Sequence, residues 1–295
     1  CALPICGTLN GNAASRALTI AAGTGNVTFT GAVGGGTALG AVAITAATTT
    51  NSSTWVGSST LGITGNAVIN GAISGITSLS ISGTTSLGAN VTTTAVGGQT
   101  YSGAVTITGS AVTLDSTSGT GPVLFSSTVN SAATGDNSAS ATKPLTVTTG
   151  SGNVTFTGVV GGGTNGALGA LTVNTTGTTT FSAAVTAASV TTNASGTTAI
   201  NGSTITTTGA QTYNDAVTLG ADTTLTATTV TFNDTVTGAY ALTITGNAVF
   251  GNGTADTVTL SGSAKALSVS GTSTINANIT TSGAQTYTGA ATLAA

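Results

Sequence analysis

Two carboxylates stand 19 residues apart inside near-copies of one phrase: Tyr213-Asn214-Asp215-Ala216-Val217 returns as Phe232-Asn233-Asp234-Thr235-Val236. Stacked on neighbouring strands, Asp215 and Asp234 would lie about 5 Å apart. That is the separation of the carboxyl pairs that cleave glycosidic bonds, one group giving a proton while the other stays charged. The competing reading is that each Asp caps a turn within a repeated Asn-Asp pattern. The rest of the chain favours capping. Arg16, Lys143 and Lys265 are far apart in sequence, there is no His, and all six acids are Asp. The Gly-Gly-Gly stretches lack the Lys-Ser/Thr of a phosphate loop, and neither a nucleophile elbow nor a calcium-binding Gly-Asp repeat occurs. The expectation is a chain without catalytic residues, metal or cofactor.

The thiols are Cys1 and Cys6, in "CALPICGTLN". They admit three readings: a disulfide closing a small loop, a lipid-bearing first residue, or a cross-link to a neighbouring subunit. The first two fit an exported protein.

The elements that must position these groups follow from composition. Charged residues make up 3% of the 295, against about 25% in ordinary soluble domains. With a net charge of −3, the chain has no field to attract nucleic acid, and colloidal repulsion between copies is weak. Thr, Val, Ser and Asn are poor helix formers, while Thr and Val suit pleated strands and the 44 Gly suit turns. A hydrophobic content of 39% and a mean hydropathy of +0.41 argue against disorder. No apolar run is long enough for a membrane helix, and short strands with 4% aromatics do not resemble a membrane barrel.

Repeats dominate the pattern. Tyr213, Phe232, Phe250, Val269 and Tyr287 fall at steps of 19, 18, 19 and 18, and Asn214, Asn233 and Asn252 at steps of 19. An aromatic followed four residues later by Val recurs from Phe29, Tyr101, Phe125, Phe156 and Phe181, and in degraded form from Tyr287. A longer block starting at Leu18 returns at Leu145, so that Asn26 maps onto Asn153. A third block, ending in "QTY", occurs at Tyr101, Tyr213 and Tyr287.

A unit of 18–20 residues is too small to fold alone, but stacked units bury a continuous core. The predicted fold is therefore all-β: a parallel β-solenoid of about 15 coils, about 70 Å long. Gly-rich insertions at 31–41 and 158–170 interrupt the period, and 130–144 reads as a loop excursion. Residues 1–14 read as an N-terminal segment with the Cys pair, and 15–295 as one continuous solenoid. The predicted ladder comprises Phe29, Tyr101, Phe125, Phe156, Phe181, Tyr213, Phe232, Phe250 and Tyr287, with Asn214, Asn233 and Asn252 beside it.

"GNVTFTG", "GTTAINGSTITTTGAQTYNDAVTLGADTTL" and "VTFNDTV" resemble the stalk repeats of filamentous-haemagglutinin-like and autotransporter-type bacterial surface proteins. The resemblance runs from about residue 15 onward. It implies a right-handed β-helix, a place outside the cell, and a role as fibre or adhesin stalk. No binding residue carries over, because the stalk motif defines none. Two functional expectations follow. In one, copies of the chain stack head to tail into a surface filament or matrix fibre. In the other, the chain is a stalk displaying loops to host or surface glycans.

Overall fold

The computed structural model describes residues 2–12, 15–132, 142–253 and 255–294. They form thirty strands and no helix, and every strand pairing is parallel. The chain is a β-solenoid of about 14 turns. Strands win because inward and outward side chains alternate along each run, with one break where a long strand turns a corner. In Thr223–Phe232, Thr223, Leu225, Ala227, Val230 and Phe232 point inward, while Thr224, Thr226 and Thr231 point outward. Period two on a pleated backbone buries every second side chain on one face.

Each coil contributes to three stacks. Thr197–Ile200 is covered by Ala216–Leu219, then Val236–Gly238, Thr257–Leu260 and Asn278–Thr281. Thr204–Thr207 is covered by the first halves of Thr223–Phe232 and Leu242–Phe250, then Leu267–Val269 and Gln285–Tyr287. Gln211–Tyr213 is covered by the second halves of those two long strands, then Ser273–Ile275 and Ala291–Leu293. Leu242–Phe250 bends at glycine where it passes from one stack to the next, whereas Thr223–Phe232 makes the same passage between Thr226 and Thr229 without one. Gly246 sits at φ +132°, and a Cβ there would collide with the Ala227 carbonyl oxygen.

Coil length varies more than the predicted 18–20 residues. The step from Phe232 to Phe250 is 18 residues, but that from Phe125 to Phe156 is 31. The surplus leaves the strands untouched because it is spent in loops at the corners. Residues 31–41 and 158–167 lie in two such loops, Leu168 to Ala170 of the second insertion already belonging to the strand Leu168–Thr175, and most of the expected excursion at 130–144 lies outside the described residues. Ala2–Ile5 pairs in parallel with Asn26–Phe29.

Outward Thr residues fall into register. Thr146, Thr172, Thr191, Thr212 and Thr231 form one file across five coils. The inward files of Val, Leu, Ile and Phe make a single core running the length of the stack.

Candidate functional site

The interior ladders are where the sequence signals converge, and the pairing register shows what each motif does. The aromatic-x-x-x-Val phrase is a corner. Tyr101, Phe125, Phe156 and Phe181 are last inward residues of the first stack, and Val105, Val129, Val160 and Val185 open the second. Tyr213 and Phe232 close the third stack, and Val217 and Val236 reopen the first. One phrase thus serves different corners. The long duplication does the same: Asn26–Phe29 lies in the second stack and its copy Val154–Phe156 in the first.

The predicted single ladder is two separate runs. Tyr101, Phe125, Phe156 and Phe181 stack at centroid distances of 5.3, 4.9 and 5.4 Å, with ring planes within 16° of parallel. Tyr213, Phe232 and Phe250 stack at 5.3 and 5.9 Å in the third stack. Each such pair adds about 0.5–1.5 kcal/mol beyond burial. Phe29 belongs to neither run. It meets Trp55 edge-on at 5.1 Å, and its register partners are Ile5 and Asn51. Tyr287 is also elsewhere: it covers Val269 and Ile244 in the second stack, while Phe250 is covered by Ile275 and then Leu293.

Beside the second run, Asn233 Nδ2 donates to Asn214 Oδ1 at 2.7 Å, and Asn214 Nδ2 donates to the Thr192 carbonyl at 2.6 Å. Asn252 does not extend this ladder. Because Phe250 follows Phe232 by 18 residues, the position above Asn233 is Gly251, whose carbonyl accepts from Asn276 Nδ2 at 3.0 Å. Asn252 is exposed, and its backbone N–H donates to Asp256.

The repeated Gln-Thr-Tyr blocks hold residues to which sequence reasoning gave no role. Gln and Tyr are two apart on a strand and therefore share its inward face. Gln99 and Gln211 are fully buried. Each Gln accepts from the Tyr hydroxyl, Tyr101 at 2.8 Å and Tyr213 at 3.1 Å. The Gln99 amide donates to the carbonyls of Val91 in its own coil and Asp115 in the next. The Gln211 amide donates likewise to Ile205 and Thr226. A buried Gln could have been singled out from its i, i+2 spacing to an inward Tyr.

The two aspartates occupy the same corner of successive coils but differ in environment. Asp215 is 1% exposed. Its Oδ1 accepts from Thr192 Oγ1 at 2.6 Å, and both its oxygens accept from Thr198 Oγ1 at 2.9 Å. Asp234 is half-buried and accepts from the Thr235 N–H at 2.6 Å. Asp222 lies outside, salt-bridged to Lys265 at 3.0 Å, and accepts from the Ala241 N–H; that backbone bond, then the Lys265 bond, holds its carboxyl below the usual range. Burial raises the Tyr101 and Tyr213 hydroxyls far above the ordinary phenol range.

A cleft of about 340 Å³ opens beside the second Gly-rich loop, among Ala167, Leu168, Thr186 and Thr206. Cys6 is exposed, and its candidate partner Cys1 lies outside the described residues. Among the described residues no three His, Cys, Asp or Glu side chains gather as metal ligands, and no helix is long and apolar enough to cross a membrane.

The fold and its filled interior define a parallel β-solenoid whose motifs serve coil-on-coil contact. No protein-family model, curated protein or solved structure matches the chain.

Proposed function

We propose that this chain is a structural extracellular protein whose copies stack head to tail into a filament or matrix fibre. One observation carries the reading. Every interior Gln-Tyr pair uses one carbonyl of its own coil and one of the coil above. Gln285 accepts from the Tyr287 hydroxyl at 3.0 Å and donates to its own-coil Ile279 carbonyl at 3.3 Å in the same way. Ile275, Ile279, Tyr287 and Leu293 line an apolar surface beside it. A coil supplied by another copy would be held by the same contacts that hold one interior coil on the next. The low charge supports close approach, and the resemblance to bacterial stalk repeats supports a place outside the cell.

Sedimentation of the purified chain against concentration tests this. Self-association should be lost when Tyr287 and Leu293 are both changed to Lys, with the interior unfolding transition unchanged. Association that survives the double change would reject the end-to-end contact.

A further inference from the structure

Asp215 is the one charged side chain that is fully buried among the described residues, and its surroundings supply no cation. Thr192 reaches it from the coil below and Thr198 from the first stack, both with neutral hydroxyls. The matching corner of the coil above brings a second carboxyl, Asp234, and Tyr213 lies two residues earlier on the same corner. Lys265 is engaged with Asp222, and neither Arg16 nor Lys143 bonds to Asp215. A buried carboxylate held by two neutral hydroxyls and its own backbone N–H, with no cation and with a like charge one coil away, is a poor place for a negative charge.

We propose that Asp215 is a proton-binding site built into the stack: the packed solenoid holds it neutral, and its ionisation loosens the corner between Tyr213 and Val217. The surroundings suit the neutral acid. A protonated Asp215 can donate to Thr198 Oγ1, which lies 2.9 Å from both its oxygens, and still accept from Thr192 Oγ1. Burial pushes the Asp215 carboxyl above its usual range; hydrogen bonds from Thr192 and Thr198 pull it back in part, and Asp234 adds to the rise.

The sign of the pH effect follows. With the folded group raised above its unfolded value near about 4, the folded chain binds more protons between the two values, so stability falls as pH rises through that window. Asp222 acts in the opposite sense and below the ordinary Asp value, so the two effects separate on the pH axis.

The test is thermal unfolding of the 295-residue chain and of Asp215→Asn between about pH 4 and pH 8. Wild type should lose Tm as pH rises. The Asn variant, which keeps the shape and the Thr contacts, should be flat across the window and should melt above wild type at the alkaline end. A wild-type Tm that is constant or rises with pH, or a variant that keeps the wild-type slope, overturns the proposal. Infrared spectroscopy gives a readout independent of unfolding. Wild type should show a protonated carboxyl band at a pH where exposed Asp are charged, and Asp215→Asn should lack it; a wild type without that band also overturns the proposal. Asp234→Asn should shrink the slope and leave the band. If Asp234→Asn removes both, the proton resides on Asp234 and the assignment to Asp215 is wrong.

Discussion

The Tyr213 hydroxyl donates to Gln211 Oε1 at 3.1 Å, two residues back on the same strand, and through that amide the interior of one coil is tied to the backbone of the next. Gln211 thereby satisfies two buried groups, the phenol and the Ile205 carbonyl, and the half-buried carbonyl of Thr226. An orphaned buried polar group costs about 1–3 kcal/mol.

Gln211→Ala should therefore destabilise the chain by about 3 kcal/mol or more, read from urea unfolding. Gln285 is exposed and bonds within its own coil, so the same change there has less to break. Gln285→Ala should cost within about 0.5 kcal/mol in the dispersed chain, as at an ordinary surface position. Equal costs at the two positions would remove the clamp role of the Gln-Tyr pair.

Phe125 stacks on both Tyr101 and Phe156. Phe125→Ala should cost about 3–5 kcal/mol through lost burial and the cavity left behind. Phe125→Leu, which fills most of that space, should cost less than about 1.5 kcal/mol. Since stability in a stacked array is partly local, hydrogen exchange should show the loss centred on the coils holding Tyr101 and Phe156. A loss spread evenly over all coils would contradict the ladder picture.

Asn233 and Asn252 separate two accounts of the amide ladder. Counting residues makes them equivalent, whereas the register leaves Asn252 outside. Asn233→Ala should cost about 1–2 kcal/mol by breaking the bond to Asn214, and Asn252→Ala within about 0.5 kcal/mol. Matching losses on denaturant unfolding would favour the sequence count over the register.

Much of the fold was legible because it rests on local alternation. Thr and Val in period two announce strands, and the 19-residue echo of Tyr213 in Phe232 announces that coils stack. The failures share one cause: residue count measures distance along the chain, not position around the coil. Val269 and Tyr287 keep the 18–19 step from Phe250, yet the Asp256 turn and the strand Thr257–Leu260 bring them back on the second stack. Asn252 misses the ladder by one residue because its coil is one residue shorter than the one before. Phe29 carries the same phrase as Phe156 but sits at a different corner, beside Trp55. The pairing of Asp215 with Asp234 was visible, but the burial of one and not the other was not. That difference depends on Thr192 and Thr198, which alternation marks as inward without naming their partner.

The central claim is that a finished coil is the template for the next, and that another copy can supply it. Electron microscopy of the concentrated chain tests this most directly. The account predicts unbranched filaments one solenoid wide, with the strand repeat of about 4.8 Å running unbroken along the axis. Separate rods of single-chain length, dispersed at every concentration, would contradict it.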